Sequence, residues 1–559
     1  MQTARRLYVY ILSGIGLGGL VGGVSMLLTV LFGRVGLGPQ GDAIFGADEA
    51  IRQQLTLASA ITAVSLPVWL IHWFAAERSV RPDRVTASVE RAAGVRGLYF
   101  ALALGGLLLA SAIGAASALE GAILRLLGAS DFGYRDIGGG LALALVAGAA
   151  WGYLVRIRIR DWGRGAMTGA GAWLPRTYLY AATFAGLMLL LSGVIGLIEL
   201  IGRILINEPS FVVSPDSGPW WAFPLATAVS AAAVGGAIFL GHAGYADRLR
   251  RDIGARGASE RQARLRLAYY VAVIAVGAAA AVYLLAEGIG NALAAALGVS
   301  DETGTGQTVG LIVVPILNSI PYAIVWWIHA RWMVQESAAL DSAERIETAS
   351  RLELYPVALV ALGYAAVALA WLIGLLIEVT VGAGQVIAGG DSWRRELAQF
   401  VPLAGIGGAL WILRWRDVNA RSAVDPAGEA ASTTRRTMLL IVVAVSILAV
   451  IGSGGVILYR LFGTIFGATL GGNAVLELSG PIGALLVAGA VALFHGVVLR
   501  RDQALRTGMD AALREEAAPV AGATLTLRLS GPPDEDMEAV VAKLRAELPP
   551  GYGLEATGA

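Results

Sequence analysis

The chain has 559 residues, 56% of them hydrophobic and only 15% charged, with 73 glycines and a mean hydropathy of +0.67; a soluble domain carries roughly a quarter charged residues. Cysteine is absent, which excludes disulfides, thiolate catalysis, cysteine-ligated zinc and iron–sulfur clusters. The formal net charge of +1 hides a strong asymmetry along the chain and gives no ground for a nucleic-acid partner.

Apolar runs of about 18 residues or more read as membrane spans, because about 20 helical residues cross the hydrocarbon core. Twelve are predicted, at about 7–33, 56–76, 97–127, 138–156, 177–206, 220–243, 267–298, 308–330, 353–382, 397–413, 437–468 and 478–499. The first opens on MQTARRLYVYILSGIGLGG, basic like an export signal, but its apolar stretch is too long and no small-x-small site closes it. It reads as an uncleaved span. Within it GIGLGG formally contains G-x-G-x-x-G, yet a dinucleotide site needs that motif between a strand and a helix. Gly14, Gly18 and Gly22 recur every four residues, the small-residue face that lets membrane helices approach.

Charge placement orients the spans. The N-terminus, the segments joining even spans to odd ones and the stretch to Arg514 carry 31 arginines, and the opposite side carries eight. The positive-inside rule then puts both termini in the cytoplasm, with six hairpins crossing the plasma membrane.

Odd spans open on a common signature: RRLYVY at 5–10, RGLYFA at 96–101 and RTYLYA at 176–181, then RLAYYV, RLELYP and RRTMLL. Anchored on Arg6, Arg96, Arg176, Arg266, Arg351 and Arg436, the unit is one long span, a short connection and a shorter span ending in arginines. The cation stays with headgroups and water while the tyrosine ring lies at the membrane boundary. Aligning the even spans on their basic ends places His72, Leu154, His242, His329, Arg414 and His495 in one slot. All four histidines of the chain fall there.

RRLYVYILSGI, RTYLYAATFAG and LPVWLIHWFAAER resemble the bacterial membrane family known as domain of unknown function 5671, over roughly residues 5–500 in successive copies. The resemblance implies the fold and carries no reaction, substrate or cofactor.

Two readings of the histidine slot stand. His72, His242, His329 and His495 could form a metal, haem or pH-sensing cluster, given an imidazole pKa near 6.5. Alternatively they are interfacial anchors, since each lies shortly before charged residues and one copy holds Arg414 instead. Glu120, Glu199, Glu287 and Glu378 fall late in odd spans, and a carboxylate within a span is a functional candidate by default. Glu120 and Glu199 have Arg125 and Arg203 close on the same helix for neutralisation; an ion- or solute-handling ring at the outer mouth is the alternative. Asn318, between Pro315 and Pro321, marks the most irregular span. It reads either as a broken helix offering carbonyls to a substrate, or as a kinked one with Asn318 bonded to a neighbour.

The tail differs. ATLTLRLSG at 523–531 alternates like a half-buried strand. PPDEDMEAVVAKLRAELPPG follows as a helix with Asp534 as N-cap, and YGLEATGA is a candidate final strand.

The expected fold is an all-α polytopic membrane protein of six tandem two-helix repeats (approximately 5–90, 91–170, 171–260, 261–346, 347–430 and 431–505) within a membrane domain 1–505. A linker at 506–522 and a small cytoplasmic α+β tail at 523–559 complete it. No nucleophile–base pair, H-E-x-x-H or phosphate loop is found, so neither an enzyme nor a cofactor is expected. A scaffold or sensor is favoured over a transporter or channel for a small solute or ion, with a histidine-ligated redox protein third. The expected partners are the lipid bilayer and, through the tail, a cytoplasmic protein or a second copy of the chain. Each unit keeps one orientation, which suggests a parallel ring of hairpins.

Overall fold

Backbone N–H and C=O groups in hydrocarbon must be satisfied within their own segment, which leaves helices as the only unclosed solution. A computed structural model describes residues 2–38, 47–129, 137–163, 170–206, 219–299, 305–339, 342–381, 392–466, 474–517 and 537–548. It has twelve long helices: α1 (Gln2–Phe32), α2 (Ala47–Ser79), α3 (Gly94–Leu126), α4 (Ile137–Gly163), α5 (Ala170–Leu205), α6 (Ala222–Arg251), α7 (Arg264–Ala296), α8 (Thr305–Ala338), α9 (Ala343–Val381), α10 (Ser392–Val424), α11 (Thr433–Ile465) and α12 (Ala474–Ala517). All twelve are long and apolar enough to cross a membrane, consistent with a multi-pass membrane protein. Short helices Ala87–Ala92, Ala255–Arg261 and Pro426–Ala431 sit in every second connection between hairpins.

The helices pair in sequence as antiparallel hairpins, and the hairpins stack in order. Each odd helix packs on the next odd helix, and α4, α6, α8 and α10 pack on α1, α3, α5 and α7, one hairpin back. Gly483 of α12 likewise lies against Ala370 of α9. Among the described residues the extensive contacts of the first hairpin stop at the second. Among the described residues of the first five hairpins the expected ring is instead an open row, because each hairpin packs chiefly on its sequence neighbour.

Small residues set the spacing. A Cβ added at Gly114 would lie 2.6 Å from the Ala144 nitrogen, and one at Gly186 2.6 Å from the Phe239 nitrogen. Helices with side chains there could not approach so closely. In α1 the close face is Gly16, Gly19 and Gly23, against Trp69, Ser65 and Thr62 of α2. Gly18 and Gly22 meet nothing and Gly14 only approaches Tyr99, so the face expected from the four-residue spacing is the wrong one. Gly128 and Gly298, both with positive φ, close α3 and α7. Each N–H bonds back three residues and the following N–H five, the Schellman pattern.

α8 runs as one helix through Pro315 and Pro321, so the broken-helix reading at Asn318 does not hold. Pro315 removes the donor for the carbonyl four residues earlier, that of Leu311. Asn291 of α7 supplies the substitute, its Nδ2 donating to Leu311 O at 2.7 Å. Asn318 itself is buried and its Oδ1 has no hydrogen-bond partner.

The chain divides into two compact units, Met1–Asp502 and Gln503–Ala559. In the second, residues 506–517 of the expected linker are helical as the end of α12, and α13 (Met537–Glu547) occupies the expected tail helix. The strands expected at 523–531 and in YGLEATGA, and Asp534, lie outside the described residues; among those described there is no strand.

Candidate functional site

The arginine-rich ends of the hairpins concentrate the polar chemistry, and the arginines that open the odd helices organise it. Arg96 is fully buried; its guanidinium donates to Glu77 at 2.7 Å, to Asp161 and to the Tyr10 hydroxyl at 2.9 Å. Arg266 repeats this with both Glu336 oxygens at 2.6 and 2.7 Å and with the hydroxyls of Tyr180 and Tyr270. Arg435 repeats it again with Asp502 at 2.7 Å and Ser422 at 2.6 Å. The sixth anchor is thus Arg435, one residue before the expected Arg436.

The alternate arginines behave differently. Arg6 donates to both oxygens of Glu90, Arg176 to Glu260 at 3.0 Å, and Arg351 to Glu429 at 3.0 Å. Those three glutamates all lie on the short connecting helices. Tyr180 and Tyr355 add hydroxyl donors to Glu260 and Glu429. A buried charge is tolerable only when paired and hydrogen-bonded, and these arginines are.

The glutamates were legible but unread. ERAAGVR, ERQARLR and EAASTTR each place a glutamate six residues before the buried arginine: Glu90 and Arg96, Glu260 and Arg266, Glu429 and Arg435. The pattern occurs in every second connection, so the unit that repeats is two hairpins, three times over.

The histidines occupy equivalent places in different hairpins. Each Nδ1 lies 2.7–2.9 Å from the carbonyl four residues earlier: Val68, Ile238, Val325 and Val491. A carbonyl only accepts, so Nδ1 carries the proton and Nε2 is left as acceptor. Tyr178 donates to His242 Nε2 at 3.0 Å and Tyr269 to His329 Nε2 at 3.1 Å. His72 meets the Tyr8 ring edge-on, and His495 packs against Phe494 and Trp415 with its Nε2 unpartnered. His242, His329 and His495 are buried, and their hydrogen-bond partners differ. Among the described residues no group of three or more histidines and acids is placed to hold a metal ion. Leu154 fills its slot as a fully buried core residue, and Arg414 pairs with Glu353 at 3.6 Å.

The late-helix acids are also dispersed. Thr227 of α6 donates to Glu120 of α3 at 2.7 Å, and Ser479 of α12 donates to Glu378 of α9. Glu199 pairs with its own Arg203 at 2.8 Å. Glu287 lines a cavity of about 240 Å³ with Asn291, Arg395 and Gln399. Three of the four therefore face the even helix of the following hairpin, and no ring of carboxylates forms.

A larger cavity, about 630 Å³, opens between the second and third hairpins. Trp151 of α4 donates to the Tyr178 hydroxyl at 2.6 Å, which itself donates to His242 of α6, so three helices are tied together on its wall. Arg158, Arg176 and Arg248 line it, and among the described residues no acid does.

A family model described as a domain of unknown function (DUF5671) matches residues 6–149, 176–319 and 351–490. The three matches begin on Arg6, Arg176 and Arg351, the arginines paired to the connecting-helix glutamates, so each match spans two hairpins. No curated protein and no solved structure matches the chain.

Proposed function

Because the chain belongs to the DUF5671 family, with the family domain present three times in tandem, we propose from its own geometry that it is a plasma-membrane scaffold or sensor. Its arginine-rich ends face the cytoplasm and its tail engages a partner there. The observation that carries this reading is the way the row is filled. Glycine-mediated close approach occurs within hairpins, as at Gly114, and between them, as at Gly290 against Ala398 of α10. The buried arginines at one end are satisfied by acids of the chain itself. Such a body suits holding helices in place.

Transport of a small solute or ion is the second reading, favoured by the Glu287 cavity. Reconstituted full-length protein separates the two: the scaffold reading expects vesicles no leakier to protons, potassium or small neutral solutes than empty ones. Saturable uptake or unitary conductance abolished by Glu287→Gln would sink it. Orientation is open to a direct test because the chain has no cysteine. A single cysteine at Ser79 should react with an impermeant maleimide only after the cytoplasmic face is exposed, and one beside Leu126 should react in intact cells.

A further inference from the structure

We propose that a cavity inside the second family copy is a binding site for a neutral, planar aromatic molecule about the size of indole. This goes beyond the scaffold or sensor reading and does not depend on it, since a transporter would keep the same site.

The first two family matches, 6–149 and 176–319, are of equal length. Arg6, Glu90 and Arg96 fall on Arg176, Glu260 and Arg266 at one constant offset, so each residue of one copy has a definite counterpart in the other. In the first copy Trp73 is 1% exposed and lodges in a frame of three side chains. Its ring stacks on Tyr99 at 5.7 Å, meets Phe100 edge-on at 6.2 Å and lies 5.9 Å from the Arg96 guanidinium. The counterparts of that frame in the second copy are Tyr269, Tyr270 and Arg266, and they are arranged alike. The two rings are 5.5 Å apart, against 5.7 Å in the first copy, and the guanidinium lies 5.7 Å from the Tyr270 ring, against 5.0 Å from Phe100.

The counterpart of Trp73 itself is Ala243. A cavity of about 560 Å³ opens there, lined by Ala243, Arg266, Tyr269 and Tyr270, a size suited to small molecules. In the third copy Trp415 follows Arg414 as Trp73 follows His72, and it is again buried, stacked on Trp411 at 6.0 Å. Of the three copies the second alone has a small residue at this place.

The frame selects its occupant. Tyr269 offers a face for offset stacking, and the Arg266 guanidinium favours an electron-rich ring. Asp247 pairs with Arg250 at 2.8 Å and with Arg251 at 2.7 Å, and Glu336 with Arg266 at 2.6 Å. The charges on the wall thus answer one another, and a neutral molecule fits best. Leu240 and Trp332 line the cavity and are exposed, which leaves an approach from the bilayer, where aromatic rings gather at the interface.

The test is fluorine NMR of the full chain in nonionic detergent, with a fluorinated indole as probe. A bound signal should saturate at one probe per chain, above the linear partitioning into empty micelles. Unlabelled indole should displace it, and decalin, a saturated bicycle of similar size, should not. Ala243→Trp should abolish the bound signal without lowering the unfolding midpoint, because Trp73 and Trp415 already sit at that place. Ala243→Leu, which adds less bulk, should abolish it too and decides the matter if the tryptophan variant fails to fold. Absence of a saturable signal, equal displacement by decalin, or a bound signal that survives these substitutions would each overturn the proposal.

Discussion

At the seam between the first and second family copies, Trp151, Tyr178 and His242 form a neutral hydrogen-bonded chain beside an open cavity. At the seam between the second and third, the equivalent positions hold Trp326, Glu353 and Arg414. There Arg414 pairs with Glu353 at 3.6 Å and lies 5.9 Å from the Trp326 ring. Arg158 of the first seam is replaced by the fully buried Met333, and Arg248 by Ala420. One seam thus joins a tryptophan, a tyrosine and a histidine by neutral hydrogen bonds, while the other uses a cation on a carboxylate of its own chain. The second seam also brings Gly290 of α7 against Ala398 of α10, beside the smaller Glu287 cavity. The same repeated scaffold makes two differently lined joints, one beside a cavity of about 630 Å³ and one beside a cavity of about 240 Å³, and the difference in lining lies in a handful of side chains.

The largest expected effect separates both seams from the interior of a copy. Arg96→Leu should destabilise the fold by about 3 kcal/mol, because Glu77 and the buried Asp161 would keep only the half-exposed Arg160 as a cation. Unfolding in mixed micelles, followed by circular dichroism, gives the number; a loss below ~1 kcal/mol would mean the pair is worth no more than an exposed one. Next, Gly290→Leu should cost about 1–3 kcal/mol by overpacking the contact with the Ala398 carbonyl, 2.8 Å from an added Cβ. Gly241→Leu at the first seam, where a Cβ meets nothing within 4 Å, should move the same transition by less than ~0.5 kcal/mol, and equal effects would erase the contrast between the joints. Trp151→Phe, which deletes the donor to Tyr178, should cost about 0.6 kcal/mol, the usual worth of an interhelical hydrogen bond in a membrane protein. Smallest is the Arg414–Glu353 pair, each side chain about a quarter exposed. A double-mutant cycle with Arg414→Ala and Glu353→Ala should give a coupling of about 0.2–1 kcal/mol, shrinking in high salt.

The twelve helices were legible because hydrophobicity over a span's length is forced by the solvent, whatever the neighbours. The period was half legible. Openings such as RRLYVY and RTYLYA and the histidine slot recur in nearly every hairpin, so they announce six units, whereas the glutamates at 90, 260 and 429 recur in every second connection and announce three. The histidine slot was placed by sequence, but its meaning depended on Tyr178 and Tyr269, which approach from another helix at separations of 64 and 60 residues. The interacting glycine face of α1 was misread for a related reason. Both faces are rich in small residues, and only the position of Trp69 and Ser65 on α2 decides which one is used.

The open row has a consequence for how such a chain can change length. Because every hairpin leans chiefly on its immediate neighbours, folding energy accumulates stepwise along the row, as in a solenoid, with no closure to satisfy. A gene encoding two or four family copies would meet the same local contacts at each joint, so copy number can drift by duplication or loss without redesigning a core. What such drift would alter is the roster of joints, and with it how many are lined like the first and how many like the second.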